Sequence, residues 1–290
     1  MSGRVVSIGE VVWDIFGDRQ VLGGAPVNVA YHLHTLSVPT TVITRVGDDE
    51  LGEVTRKKIA GLGLPTLGMQ SDGQHATGTV VVTVDSNNEP SFDIVDPAAW
   101  DFIDMAAAEK AAGNDPFFLV FGTLAQRRHG SRDAIRALWK KADKKLYDVN
   151  LRPPFTTRKL VVDSLQTADI VKMNEHELQT IGDWCGIPVT DAKKQAESVR
   201  DHFSLEAVVI TEGGKGAWLT SADGYFHHGG FPVEVADTVG AGDAFFATFI
   251  EGYMHKRPWL ECLTRANHRG AFVASQHGAT PPMQEYAYAP

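Results

Sequence analysis

Short runs of β-branched and aromatic residues alternate with longer helix-like segments along most of this chain of 290 residues. Such alternation is typical of βαβ units, in which parallel strands form a sheet that helices cover on both faces. We therefore expect an α/β fold of three layers with a mostly parallel central sheet. The predicted strands are 5–9, 40–47, 117–122, 145–150, 169–174 and 207–211, and the predicted helices lie near 27–36, 49–62, 101–112, 131–143, 175–182 and 190–203.

Residues 77–95 depart from this alternation, because they read as two strands joined by a polar turn at 85–90. Ligand sites in open α/β sheets lie at the carboxyl ends of the strands, and an inserted hairpin can cover such a site. We expect a flap over the site, and an edge ornament of the central sheet is the alternative. The carboxy-terminal third also differs, since two helices follow one another there.

The charge balance argues against nucleic acid as a partner. The chain has 27 basic and 36 acidic side chains and a net charge of −9, whereas phosphate backbones select basic surfaces. No stretch approaches the ~18 apolar residues of a membrane span, and the amino terminus lacks a run of signal-peptide length. We expect no membrane partner and a cytoplasmic location. Cys185 and Cys262 lie far apart without metal-ligand spacing, which favours buried thiols in a reducing compartment.

The stretch DTVGAGDAFF, residues 237–246, contains three consecutive small residues, namely Gly240, Ala241 and Gly242. Their N–H groups can approach a ligand closely, and a turn of this kind that opens a helix binds anions. Asp243 adds a carboxylate that a loop holding only phosphate would not need. We interpret it as an ionised base that accepts a hydroxyl proton, with Asp237 or Thr238 as the helix cap. An ordinary helix start, in which Asp243 only complements the dipole, is the alternative.

A second polar pattern lies at 23–47, where a glycine pair precedes a predicted helix. Gly24 lets the backbone approach a ligand, and the Asn28 amide can donate and accept hydrogen bonds. Asp14 follows the first predicted strand, where its carboxylate can accept hydrogen bonds from two hydroxyls. These groups suit a polyhydroxy ligand. A capped helix and a solvated loop are the alternatives for Asn28 and Asp14.

Other phosphate- and metal-binding motifs are missing from the sequence. There is no GxxxxGK[ST] P-loop, and the dinucleotide pattern GxGxxG fails because Phe245 stands in place of the third glycine. This argues against a nicotinamide-dependent dehydrogenase. The sequence also has no HExxH motif and no Cys/His ligand cluster.

Taken together, the stretches 23–47 and 237–247 resemble the two signatures of the ribokinase-like (PfkB) family of carbohydrate kinases. The second signature is followed by Thr248, where the family usually has Gly or Ala. The resemblance implies one ribokinase-like catalytic domain over residues 1–290, with a β-lid from segments near 11–22 and 77–96. It also implies transfer of the ATP γ-phosphoryl group to a sugar hydroxyl with the help of Mg²⁺.

The resemblance further implies roles for individual residues. Asp243 would be the base, and the amides of Gly240, Ala241 and Gly242 would receive the charge that develops on the transferred group. The implied sugar-binding residues are Asp14, Gly24, Asn28 and Arg152. The implied nucleotide-binding residues are Asn174, Thr211, Gly213, Gly216 and Asn267. Glu177 would lie near the water shell of Mg²⁺, and Asp237 and Val239 match the position of a monovalent cation such as K⁺ in many relatives.

Three stretches look fructokinase-like and favour D-fructose as the sugar. They are GGAPVN at 23–28, AAW at 98–100 and DVNLRPPF at 148–155. In this interpretation Arg152 lies near the substrate or its entering phosphate, and a surface salt bridge is the alternative. Kinases of 2-keto-3-deoxygluconate, ribose, another sugar or a nucleoside are the alternative activities.

The alternative outside the enzymes is a regulatory protein that binds sugar or nucleotide without catalysis. Asp243 argues against it, because pure binding has no use for a carboxylate at an anion site. The resemblance also allows a homodimer through the lid strands. Side chains alternate along strand 79–84, so burial of the face with Val80 and Val82 would leave Val81 exposed and available for such a contact.

Overall fold

The computed structural model describes residues 3–84, 90–188, 191–283 and 286. Within them the strands are β1 (Arg4–Ile8), β2 (Val12–Phe16), β3 (Arg19–Gly23), β4 (Thr40–Gly47), β5 (Met69–Asp72), β6 (Thr79–Val84), β7 (Pro90–Ile94), β8 (Phe117–Gly122), β9 (Lys144–Asp148), β10 (Ile170–Asn174), β11 (Ala207–Thr211), β12 (Ala217–Ser221) and β13 (Gly224–His228). The turn predicted at 85–90 lies outside the described residues except for Pro90.

The helices of the same part of the chain are α1 (Ala25–Thr35), α2 (Glu50–Gly61), α3 (Met105–Ala112), α4 (His129–Trp139), α5 (Arg158–Leu165), α6 (Glu175–Cys185), α7 (Ala192–Phe203), α8 (Ala241–Met254) and α9 (Trp259–Ala274). Three short 3-10 turns occur at Ala99–Phe102, Leu124–Gln126 and Gly213–Lys215. None of the helices in the described ranges combines the length and the apolar character that crossing a membrane demands.

Nine of the described strands form one sheet in the order β13-β12-β11-β10-β9-β8-β1-β4-β5. All neighbours from β11 to β5 pair in parallel, and only β12 and β13 pair antiparallel at one edge. The predicted α/β class with a mostly parallel central sheet is therefore confirmed. A second sheet, in the order β3-β2-β6-β7, stands apart from the first.

Side chains of the central strands alternate between two hydrophobic clusters. On β8, Leu119 and Phe121 belong to a cluster that also contains residues of α3 to α7, whereas Val120 packs with α1, α8 and α9. Because both faces are covered, the strands read as nearly continuous apolar runs. This is why strands 40–47, 117–122 and 207–211 were predictable with their observed bounds.

Other elements differ from the prediction. The helix expected over 101–112 is interrupted, because Asp104 caps a new helix by accepting a hydrogen bond from the Ala107 N–H. Cys262 is buried as expected, but Cys185 is only half-buried, and both are free thiols. On β6, Val81 is 40% exposed while Val80 and Val82 are buried.

Candidate active site

A cleft of about 580 Å³ lies between the carboxyl ends of the central parallel strands and the second sheet. Three residues line it from the central sheet: Glu10 follows β1, Asn150 follows β9, and Lys172 lies within β10. The second sheet contributes Val12, Asp14, Val80 and Ile94. This is the position at which open α/β sheets bind ligands. We call it the acceptor cleft.

A separate cavity of about 310 Å³ lies between β11, α8 and α9. Its walls are largely apolar, and they include Phe231, Val233, Val235, Phe245, Ala271 and Ala274. The lining also includes Gly213, Gly214, Gly216, Gly230, Thr211 and Asn267. An apolar slot bordered by glycine backbone suits a flat heterocycle that carries phosphates. We call it the nucleotide cavity.

The two cavities meet at residues 238–243, which we call the anion loop. Thr238 and Gly242 line both of them. Gly240 is the N-cap residue of α8 in the left-handed region, with φ 78°, and a Cβ there would overlap Ala279. A glycine is therefore required at this position.

The hydrogen bonds of the anion loop differ from the prediction in two ways. Neither Asp237 nor Thr238 caps α8, because the N-cap position is occupied by Gly240. The Ala241 N–H donates to the Thr238 carbonyl at 3.3 Å, so it is not free. Among the described residues the N–H groups of Gly240 and Gly242 have no acceptor. These two groups can receive an anion.

Asp237 supports the loop from its amino-terminal side. One carboxylate oxygen accepts the Val239 N–H at 3.0 Å, and the other accepts the Gly278 N–H at 3.1 Å. Asp237 therefore joins the anion loop to the segment after α9. Val239, the other residue predicted for a monovalent cation, lines the acceptor cleft and is 44% exposed.

Asp243 faces the acceptor cleft and is half-buried. The Asn28 amide donates a hydrogen bond to its Oδ2 at 2.8 Å. Burial, assisted by the charge of Asp148, raises the pKa of Asp243 to about 6, against the opposing effects of Lys172 and Asn28. The carboxylate is thus mostly ionised above pH 7, with a pKa close to the value that suits a general base at neutral pH.

A buried ion pair beside Asp243 escaped the sequence analysis. Lys172 Nζ lies 2.9 Å from each carboxylate oxygen of Asp148, and both side chains are buried. Burial alone would lower the pKa of Lys172, but the carboxylates of Asp148, Asp243 and Glu177, with Asp148 contributing most, together hold that pKa above its usual value. The available signal was Lys172 in the middle of the apolar run of β10 and an aspartate at the end of the preceding strand.

Glu10 is a second residue that the sequence analysis missed. It is buried at the end of β1, and its Oε2 has no hydrogen-bond partner among the described residues. Burial raises the pKa of Glu10 to about 7. Its position directly after the first strand was the signal that could have drawn attention to it.

The four residues predicted to bind the sugar, Asp14, Gly24, Asn28 and Arg152, all line the acceptor cleft. Burial raises the pKa of Asp14, and the charge of Arg152 opposes this. Gly24 has φ 115°, and a Cβ there would lie 2.6 Å from the Glu10 carbonyl oxygen. Arg152 is exposed and forms no ion pair with a carboxylate in the described part of the chain.

Four of the five residues predicted to bind the nucleotide line the nucleotide cavity, namely Thr211, Gly213, Gly216 and Asn267. Asn174 lines neither cavity. Its side chain accepts the Glu177 N–H, and Glu177 in return accepts the Asn174 N–H, each at 2.9 Å, in a capping box at the start of α6.

Glu177, predicted near Mg²⁺, lies outside both cavities as well. Its second carboxylate oxygen accepts the Leu151 N–H at 2.8 Å, so Glu177 joins α6 to the segment that carries Arg152. Burial raises the pKa of Glu177. In the ranges that the structure describes, no cluster of three or more His, Cys, Asp or Glu side chains could hold a metal ion.

Comparisons with known proteins agree with this geometry. A family model described as "pfkB family carbohydrate kinase" matches residues 4–285. The fructokinase of Klebsiella pneumoniae is 30% identical over 267 residues, which cover 87% of this chain and 85% of that protein. Kinases of ribose 1-phosphate and of aminoimidazole riboside match at 25% identity.

Solved structures resemble the whole chain. The fructokinase of Vibrio cholerae O395, bound to fructose, ADP and a calcium ion, has a TM-score of 0.84 at 26% identity. The match covers 96% of this chain and 95% of that one. A sugar kinase of Pyrococcus horikoshii in complex with ATP has a TM-score of 0.82 at 27% identity, with 95% and 94% of the two chains covered.

Proposed function

Because the chain belongs to the pfkB family of carbohydrate kinases, we propose that it transfers the γ-phosphoryl group of ATP to a hydroxyl of a neutral sugar, D-fructose. The observation that carries the proposal is the anion loop. It is the meeting point of two cavities, and it presents Asp243 toward the acceptor cleft. A transferred group and its acceptor must meet at such a place.

The charges of the acceptor cleft favour a neutral sugar over a sugar acid such as 2-keto-3-deoxygluconate. Glu10, Asp14 and Asp243 all line it. Lys172 is neutralised by Asp148, which leaves Arg152 as the one cation without a carboxylate partner among the described residues that line the cleft. A substrate carboxylate would face net repulsion, whereas hydroxyls can donate to these carboxylates. The fructokinases among the relatives support the same choice.

In the proposed mechanism the side chains position the reactants and one of them moves a proton. Asp14, the Gly24 backbone, Asn28 and Arg152 hold the sugar. Asp243 accepts the proton of the attacking hydroxyl, and Asn28 keeps its carboxylate oriented through the hydrogen bond at 2.8 Å. The Gly240 and Gly242 N–H groups stabilise the charge on the transferred phosphoryl group.

We assign the nucleotide cavity to ATP, whose γ-phosphoryl group is what the reaction transfers. The apolar walls suit the adenine, while Thr211, Gly213 and Gly216 would contact the phosphates and Asn267 the base. We propose Mg²⁺ bound mainly by phosphates and water, since Mg²⁺ keeps several waters and needs few carboxylates. Glu177 would act through water, and Asp237 with the Val239 carbonyl would hold K⁺.

We also propose that the second sheet acts as a lid on the single catalytic domain. Asp14, Val80 and Ile94 form part of the acceptor cleft from this sheet. The outward-facing Val81 is exposed and is the feature that a homodimer through the lid strands would cover. Analytical ultracentrifugation with Val81→Lys beside the native chain tests the dimer.

A coupled assay of ADP release with Mg²⁺ tests the proposed function. D-fructose, D-ribose, 2-keto-3-deoxygluconate and adenosine are compared, with Asp243→Asn beside the native protein. We expect fructose to stimulate release and the variant to lose about 10²–10⁴-fold in kcat, the range of general base catalysis. Stimulation of ADP release by another sugar instead would overturn the assignment of fructose as the substrate. ATP binding without any turnover would favour the regulatory protein, and equal rates would overturn the role of Asp243.

A further inference from the structure

One turn of α1 separates two side chains that connect this helix to the phosphoryl-transfer site. Asn28 donates directly to Asp243. Four residues later His32 lies on the same side of the helix, because residues i and i+4 share a face. The His32 ring is fully buried, and its Nε2 lies 2.9 Å from the carbonyl oxygen of Ala279.

The partners of His32 determine its tautomer. A carbonyl can only accept, so Nε2 carries the proton, and Nδ1 then accepts the Nε–H of Arg269 at 3.4 Å. Arg269 is also buried and donates to the Thr35 hydroxyl. Burial and the charge of Arg269 lower the pKa of His32 to about 3. The ring is therefore a neutral and fixed donor at any ordinary pH.

Residues 278–281, which His32 holds at Ala279 and the Tyr31 hydroxyl holds at Pro281, rest against the anion loop. Ala279 occupies the space that a side chain at Gly240 would need. Beside it the Gly278 N–H donates to Asp237, which in turn holds the amino-terminal side of the loop. A shift of this segment would therefore move the backbone of Gly240.

We propose that His32 is a positioning residue for phosphoryl transfer, which sets the direction of the anion-loop N–H groups by holding the Ala279 carbonyl in place. The proposal rests on the kinase function proposed above. It predicts an effect on the rate more than on binding, because the loop amides matter most where charge develops in the transition state. A misplacement of about 1 Å can cost 10²-fold in rate.

The test compares His32→Leu, which removes the donor, with His32→Gln, whose amide N–H can reach the same carbonyl. His34→Leu, an exposed position of the same helix, is the matched control. We expect His32→Leu to lower kcat about 10–100-fold, while KM for the sugar and Kd for ADP change less than about threefold. His32→Gln and His34→Leu should stay within about fivefold of native kcat.

Equal losses in the Leu and Gln variants at position 32 would overturn the proposal. The proposal would also be overturned if the loss of kcat matched the loss of folded protein, measured by near-UV circular dichroism at the assay temperature. A second measurement does not depend on the sugar: Kd for ADP with aluminium fluoride, a mimic of the phosphoryl group in the transition state, relative to Kd for ADP alone. His32→Leu should raise this ratio of dissociation constants about tenfold even if no tested sugar is an acceptor. An unchanged ratio would overturn the positioning role.

Discussion

Asp148 and Lys172 lie directly opposite each other on the parallel strands β9 and β10, with each Asp148 oxygen 2.9 Å from Lys172 Nζ. The pair lies below the anion loop, since a Cβ at Gly242 would come within 3.5 Å of the same Nζ. Lys172 neutralises the Asp148 carboxylate beside Asp243, the residue that we propose as the ionised base. The pair thus belongs to the electrostatics of the site as well as to the core.

Removing one partner of this pair should be worse than removing both. Lys172→Met leaves Asp148 buried and unpaired, which typically costs about 3–5 kcal/mol of the free energy of unfolding. In the double variant Asp148→Asn/Lys172→Met no buried charge is left unpaired, so much of the loss should return. Urea denaturation monitored by tryptophan fluorescence measures both. A double variant no more stable than Lys172→Met would contradict the expectation.

The pH dependence of kcat should follow Asp243. Protonation disables a base, so activity at saturating sugar should fall as the pH drops through about 6. The Asn28 hydrogen bond stabilises the ionised form. In Asn28→Ala the pKa of Asp243 should rise, and the acid limb of kcat should move up by roughly one pH unit. Asp14→Asn is the control: it should raise KM for the sugar and leave the limb in place.

Glu10 should make stability depend on pH in the opposite sense to most carboxylates. Its pKa is about 7 in the folded protein against an ordinary value of 4.5, so between these values the folded state binds more protons. The free energy of unfolding therefore decreases as pH rises through this window, by up to about 3 kcal/mol.

Glu10→Gln removes this dependence and should stabilise the protein more at pH 8 than at pH 5. Thermal or urea unfolding at both values measures the difference, with Glu53→Gln on the exposed side of α2 as the control. An equal effect of Glu10→Gln at the two pH values would rule out a raised pKa at this position.

Gly240→Ala should damage the enzyme at its anion loop. The left-handed φ of 78° costs a non-glycine residue roughly 1–2 kcal/mol, and the new methyl group would overlap Ala279. We expect kcat to fall about 10²-fold or more, because the loop amides shift. Gly61→Ala, where a Cβ meets nothing within 4 Å, should leave kcat and stability nearly unchanged. Steady-state kinetics and thermal melts of both variants provide the comparison.

Much of the architecture could be predicted because buried parallel strands are apolar on both faces. The four-residue β5, with sequence MQSD, carries no such signal and was missed. Helix α5 was missed too, since it has only eight residues and begins after a proline-rich loop. The break before α3 depends on the cap at Asp104, which a 3.6-residue periodicity does not reveal.

Residues of the candidate site could be predicted where they stand together in one short stretch of sequence. They could not be predicted where residues of two separate strands must pair. The anion loop and Asn28 are local patterns. The pairing of Asp148 with Lys172 depends on strand register across 24 residues, which one sequence does not display. The hydrogen bonds inside the loop also could not be read, because they follow from the left-handed turn at Gly240.

The two cavities that meet at the anion loop are built from different regions of the sequence. Apart from Lys172 and the loop itself, the acceptor cleft is built from residues 10–152, whereas the nucleotide cavity is built from residues 211–274. Under the proposed function, we expect substitutions in the first region to alter which acceptor is phosphorylated without contacting the nucleotide cavity. We therefore expect a chimera of this carboxy-terminal region with the amino-terminal region of a relative to have the sugar specificity of the relative. Its affinity for the nucleotide should be that of the present chain.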